Sequence, residues 1–387
     1  MLVLHAHAAQ MGYLTAAELV PGLLFSLHAG AWVDRHGNRR RTMIVADLAR
    51  AALIATIPVA YALDGLTIAQ LYVVAFLTGT FSIFFFVAHS GFFVAVVPRD
   101  RYVEGNSLLH GSRAFSFVAG PSLGGVLVQL LRAPFALVVD AASFLVSAFF
   151  LSRVRAAEPA TEEAGRGHVT AGLRYIRGSP TVRTCLLATA TLNFFNFIFW
   201  ALFILYVTQS LHVSPGTLGL VLGAGAVGGL IGSVVTGRIG RRIGIGPAFL
   251  LGCVLFPAPL VLVPLAAGPK PLVLACLFLA EFGSGMGVMI LDISVGSIFA
   301  ALIPDRLRSR VSGAYMVVNQ GVRPLGSVVG GTLGATIGLR PTLWIGSVAA
   351  IAGALWLLPS PVPRLRDLPD EADDQPVAVA GARAPEL

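Results

Sequence analysis

Apolar runs of about 20 residues, each long enough to cross a bilayer, alternate with short polar breaks along nearly the whole chain. Eleven can be marked, at 12–33, 42–62, 68–96, 106–131, 133–151, 184–210, 216–237, 246–267, 271–302, 312–337 and 340–358. They are too long and too uniformly apolar for the alternating strands of a barrel, so they predict membrane-crossing helices. Ahead of the first full run stands MLVLHAHA, an apolar scrap too short to cross. It lacks the basic start and small-residue cleavage site of a signal peptide. Two stretches break the rhythm. EPATEEAGRG is followed by HVTAGLRYIRGSPTVR, whose apolar spacing predicts a short amphipathic helix in a linker over 152–183. From 359 the chain is Pro-rich, acidic and aperiodic, which predicts a disordered tail.

Composition turns this pattern into a class. The 387 residues are 56% hydrophobic and only 12% charged, against about 25% charged in soluble domains. The chain reads as an all-α polytopic membrane protein. A formal charge of +8 is no nucleic-acid footprint here, because the basic residues sit in short breaks between apolar runs. Of 27 Lys and Arg, 21 fall in alternate breaks and the tail, while the other breaks hold only Arg132, Lys270 and Arg340. The positive-inside rule then places the linker and the C-terminus in the cytoplasm of a multi-pass plasma-membrane protein. Cys185, Cys253 and Cys276 lie inside apolar runs at no metal-like spacing and read as small buried hydrophobes.

The two halves repeat. VVPRDRYVEGNSLLHGSRAFSFVAGPSLGG ends in Gly120, Gly124 and Gly125, and LIPDRLRSRVSGAYMVVNQGVRPLGSVVGG ends in Gly326, Gly330 and Gly331, at an offset of 206. Arg35, Gly37 and Arg39 recur as Arg238, Gly240 and Arg242, at an offset of 203. A parallel repeat flanking a basic linker is how a two-bundle transporter is built. The expected units are 1–151, 184–358, the linker 152–183 between them, and the tail 359–387.

These residues resemble the major facilitator superfamily. Gly30, Asp34, Arg35, Gly37 and Arg39 match its signature loop, G-x-x-x-D-R-x-G-[RK]-[RK]. Asn38 departs from the pattern at a basic position, which Arg39 or Arg40 would have to fill. Gly111, Gly120, Pro121, Gly124 and Gly125 resemble the antiporter motif of exporters, and the whole chain to about 367 is similar to the branch of siderophore and antibiotic exporters. The resemblance implies two six-helix bundles, with the first lacking most of its first helix. It implies a proton-coupled efflux carrier of small amphipathic molecules, acting as a monomer without a cofactor. It further implies that Asp34 meets a helix N-terminus of the other bundle, near 310–313, and latches the cytoplasmic side. Because the signature loop begins at 30, after one full span, the sequence is expected to start at an internal Met, with an apolar stretch preceding it.

Charges within the spans are candidates for function, since each costs several kcal/mol unless paired or wet. Asp47 and Arg50, at i and i+3, read as a structural ion pair. Arg113 pairs with Asp140 or Asp47, or lines the cavity; Arg323, before Pro324, has the same choices. Glu281, Asp140 and Glu18 are the candidate proton carriers, with Asp292 about 16 Å along the helix from Glu281. His89 reads as a core histidine. In the aromatic run 193–200, Asn193 or Asn196 should point into the bundle, and with Trp200 they are candidates for a substrate cavity. The competing readings are an uptake symporter, a transport-inactive relic or sensor, and an intramembrane enzyme. The last is disfavoured, for the chain has no HExxH, no Ser-His-Asp arrangement and no nucleotide loop.

Overall fold

In the computed structural model, residues 7–98, 101–154 and 169–366 are described, all of them helix, turn or extended link. The opening scrap up to residue 6, most of the linker and the tail beyond 366 lie outside the described residues. The helices are α1 (Ala8–His36), α2 (Arg39–Ala62), α3 (Ile68–Val96), α4 (Tyr102–Leu131), α5 (Ala133–Arg153), the amphipathic α6 (Val169–Gly178), α7 (Pro180–Gln209), α8 (Pro215–Ile243), α9 (Ile245–Leu255), the short α10 (Leu262–Leu265), α11 (Lys270–Leu302), α12 (Asp305–Thr336) and α13 (Leu339–Ile351). Among the described residues, nine helical stretches are long and apolar enough to cross a membrane. α1 and α12 are not among them, although they run for 29 and 32 residues. These two carry Glu18, Asp34 and Arg323, and they pack on each other across the two halves.

The apolar runs became helices near their expected bounds; the last, 340–358, passes from α13 into a 3-10 turn over Ala352–Trp356, and three other differences matter more. The run 246–267 is not one helix: α9 stops at Leu255, and a 3-10 turn over Ala258–Val261 precedes α10. Pro257, Pro259 and Pro264 explain the break, because each removes a backbone donor. The signature stretch is also less of a loop than expected. Gly30, Asp34 and Arg35 lie inside α1, which ends where Gly37 adopts φ 65 and donates its N–H to the Val33 carbonyl at 3.1 Å. A left-handed residue there is what glycine supplies without a Cβ penalty, so the turn shrinks to Gly37 and Asn38. Thirdly, residues 359–366, expected as the start of a disordered tail, are ordered against α9. Val362 is fully buried, and the Ile245 and Gly246 N–H groups donate to the Arg366 and Leu365 carbonyls at 3.3 and 2.9 Å. Apolar Val362 and Leu365 give this segment something to bury, and Gly244 and Gly246 leave room for its backbone.

Within the first half α1 packs on α3, α2 on α3 and α5; within the second, α7 packs on α12 and α13, and α11 on α8 and α9. α6 lies on α12, with Ile176 buried and the Tyr175 hydroxyl donating to the Leu302 carbonyl at 2.8 Å. The most extensive contacts between the halves are α1 with α12 and α4 with α8, and α1 also touches α7. The repeat relates these pairs to each other, since α12 carries the sequence equivalent of α4, and α8 that of α1.

Candidate functional site

Both inter-half pairs close at the same end. A Cβ on Gly12 of α1 would come within 2.6 Å of the Gly331 Cα of α12. A Cβ on Gly125 of α4 would come within 2.9 Å of the Gly219 Cα of α8. Gly125 and Gly331 are repeat equivalents, so one sequence feature makes both contacts. Only glycine lets the backbones come this close. Polar clasps add to the α4–α8 contact: Gly216 N–H donates to the Gln129 side-chain oxygen at 3.0 Å, and the Ser122 hydroxyl donates to the Gly219 carbonyl at 3.3 Å.

At the opposite end, which bears the Arg-rich turns, the same pairs splay. Among the described residues, a Cβ on Gly30 of α1, Gly313 of α12 or Gly111 of α4 would meet nothing within 4 Å. Leu108 and Phe115 of α4 are 70% and 71% exposed. Among the described residues, the close glycine contacts between the halves therefore lie at one end of the molecule.

Between α1, α2, α3 and α5 lies a cavity of about 510 Å³. Its walls are apolar, with Leu14, Ile54, Ile57 and Phe144, and they carry Glu18, Arg50 and Asp140. Gln320 of α12 also lines it, so the cavity reaches the other half. The sequence pair Asp47 and Arg50 forms a buried ion pair, as expected. Arg50 is further held between two rings, its guanidinium 4.6 Å from the Phe85 centroid and 4.4 Å from that of Phe144. The Ser82 hydroxyl accepts a hydrogen bond from it at 3.4 Å. Asp140 acts on the same guanidinium from α5. One arginine thus faces two carboxylates, and Glu18 shares the cavity with them.

The second half holds a counterpart in which an amide, not a carboxylate, meets the arginine. Asn193 of α7 donates to the Asn319 side-chain oxygen at 3.0 Å and accepts from Arg323 Nε at 3.1 Å. Arg323 also stacks over Phe197, 5.2 Å from its centroid. One helical turn on, Tyr315 donates to the Thr189 hydroxyl at 2.8 Å. The network rivets α7 to α12. Asn193 points into the bundle, as one of the two amides had to. Asn319, Tyr315 and Thr189 were not singled out in the sequence; a polar residue every four positions on α12 (315, 319, 323) was the available signal.

The remaining candidates scatter. Glu281 is buried between α8 and α11, where a Cβ on Gly225 would lie 3.3 Å from its Oε2, and among the described residues its Oε1 has no hydrogen-bond partner. Neither Glu281 nor the exposed Asp292 lines the cavity with Glu18. Asp292 lies within electrostatic reach of Arg323. Arg113 is exposed on α4, within electrostatic reach of His89. His89 stacks on Phe85. Asn196 is buried, and Trp200 packs against Phe199 and Phe203; neither lines the cavity. The side chain of Asp34, and with it the latch, lies outside the described residues. Arg40, by contrast, ties two helices together. Its Nε donates to the Leu151 carbonyl at 2.8 Å, and a terminal nitrogen donates to that of Ser152. A cation on the last carbonyls of α5 is favoured by the helix dipole. Gly120 and Gly124 face open space, and Pro121 lies inside α4.

The sequence model of the Major Facilitator Superfamily matches residues 1–327 and 185–384. The multidrug efflux pump Tap of Mycolicibacterium fortuitum is 27% identical over 365 residues, covering 91% of this chain and 87% of Tap. Among solved structures, the nucleoside transporter NupG superposes with a TM-score of 0.71 at 13% identity, covering 92% of this chain and 91% of its own. A bacterial homologue of the iron transporter ferroportin in its inward-facing state gives 0.72 at 16%, with the same coverage. The paired glycine contacts, the repeat that generates them and the family match agree: this chain is a multi-pass membrane transporter of the Major Facilitator Superfamily.

Proposed function

We propose that the chain exports small cationic amphipathic molecules in exchange for protons, by alternating access of the cavity to the two membrane faces. The observation that carries this reading is the cavity in which Glu18 and Asp140 share apolar walls with an Arg50 already paired to Asp47. Apolar walls suit a bulky molecule, and two carboxylates against one partly neutralised arginine leave negative charge for a cation. The likeness to a multidrug efflux pump supports the direction of transport.

In this reading the Arg-rich turns face the cytoplasm, so the present state is open inward. A cation enters from the open end and binds ionised Glu18 and Asp140. Rocking of the halves, 1–151 against 184–358 about the linker 152–183, breaks the contacts at Gly12 and Gly125 and opens the outer face. Protons from outside then neutralise the carboxylates and displace the cation. With its carboxylates protonated, the cavity no longer holds a cation, and the carrier returns. Arg50 stays charged throughout and keeps Asp47 ionised, which confines proton exchange to the other two acids. Asp34 would close the cytoplasmic end in the outward-open state. The unit that acts is a monomer.

The test is transport in proteoliposomes with an imposed pH gradient. Ethidium should accumulate against its own gradient when the substrate-receiving side is acidic, and nigericin should abolish the accumulation. Equilibration without accumulation would reduce the chain to a facilitator. Accumulation only with protons and ethidium moving the same way would make it a symporter.

A further inference from the structure

We propose that the cleft beside the Arg-rich turn is a binding site for an anionic phospholipid of the leaflet on that side. The cleft, of about 450 Å³, lies between the ends of α1 and α2 and the middle of α3. Trp32, Phe81, Phe84 and Val45 form its walls. Its position on the outside of the bundle follows from exposure: Val45 is 52% exposed and Trp32 44%. Val45 stands in α2, which is long and apolar enough to span, and Trp32 lines the same cleft from the end of α1. The rings are set as a wall, with Trp32 edge-on to Phe84 at 5.6 Å between centroids.

The lining is sorted by polarity along the membrane normal. Asn38, Arg41 and Thr42, the polar members, all come from the first turn of α2 and the residue before it. That end sits at the membrane surface, beside Arg39 and Arg40. The deeper walls are aromatic and aliphatic. A ligand that fits must have an apolar body in the bilayer and a negative head at its surface. A phospholipid with a net-negative headgroup has both, and a basic site at that depth attracts it by charge. Arg40 is committed to the α5 carbonyls, which leaves Arg41, exposed and among the cleft-lining residues, as the headgroup ligand. A transported cation is a poor occupant, because the one charge in the lining is positive. The site is separate from the acid-lined cavity and does not depend on the direction of transport.

The experiment uses Trp32 as reporter. The full chain is reconstituted in phosphatidylcholine vesicles, with brominated phosphatidylglycerol or brominated phosphatidylcholine added in increasing mole fraction. The quenching lost in Trp32→Phe is the Trp32 signal. Half-quenching should occur at a mole fraction of phosphatidylglycerol at least three-fold lower than of phosphatidylcholine. Arg41→Gln should bring the two curves together, and Arg41→Lys should keep them apart. Val45→Trp in the Trp32→Phe background gives a second reporter on the opposite wall and should follow the same order. Identical curves for the two lipids in the parent overturn the proposal. So does a preference that survives Arg41→Gln, or the absence of quenching by either lipid, which would mean that something other than lipid fills the cleft.

Discussion

The two halves of this carrier come from one repeated pattern, yet they are held together differently. In the second half α7 lies at the centre. Phe199, Leu202 and Leu205 are at most 1% exposed, apolar clusters form around α7 from α8, α11 and α13, and a further one joins its start to α12. In the first half the cluster among the described residues is small: Val33, Met43, Ala88 and Phe92. The glycines show why. Gly330 of α12 packs on α7, where a Cβ would stand 2.7 Å from the Ile198 carbonyl oxygen. Among the described residues its repeat equivalent Gly124 has nothing within 4 Å, and the same contrast holds for Gly326, against Phe194, and Gly120. No described helix stands in the first half where α7 stands in the second. The lesson is that a sequence repeat transmits the capacity for a contact, and whether the contact exists depends on what else is present. The described residues of the first half enclose a cavity that carries charges, and Glu18 and Asp140 line it.

This comparison can be broken in stages. The largest effect is expected from Arg50→Gln in the first half, which strands Asp47 in a buried site. A broken buried pair costs about 3–5 kcal/mol. The purified protein should unfold far below the parent temperature, and Asp47→Asn added to it should recover most of the loss. If Arg50→Gln is neutral, the first half does not depend on its ion pair.

Next comes the glycine contrast itself. Gly330→Leu should cost about 1–3 kcal/mol through overpacking, while Gly124→Leu should shift the unfolding midpoint little. Equal losses at the two positions would mean that α4 is covered by a packed helix after all. A smaller effect, about 1 kcal/mol, is expected from Tyr315→Phe, which removes one neutral hydrogen bond to Thr189. The smallest effect on stability belongs to Asp34→Asn. It should leave unfolding unchanged and slow ethidium transport roughly two- to five-fold, the worth of a carboxylate at a helix start. Unchanged transport rates in that variant would remove the latch.

Much of the fold was legible because length and apolarity decide whether a segment crosses a membrane. The break in 246–267 was written in Pro257, Pro259 and Pro264 but was outweighed by an unbroken apolar run. The signature stretch was expected as a loop because charges usually mark one; in fact α1 carries them to Gly37, whose left-handed φ sets the boundary. The site was legible only in part. The i, i+3 spacing of Asp47 and Arg50 contains its own geometry, so the pair could be read directly. Glu281 could not be placed, because hydropathy gives its depth and not its facing, and Gly225 on α8 turns out to receive it. Asn319 and Thr189 were invisible for a similar reason: a lone polar residue acquires meaning only from the helix opposite.

The central claim is that protons and substrate compete for Glu18 and Asp140. Proteoliposomes filled with a pH-sensitive dye, with no gradient imposed, test it most directly when ethidium is added outside. The parent should release protons from the lumen as ethidium enters. Glu281→Gln should do the same, and the Glu18→Gln, Asp140→Asn pair should admit ethidium, if at all, without proton movement. Proton release by the paired variant at the parent's rate would contradict the account, and loss of release in Glu281→Gln alone would move the coupling to α11.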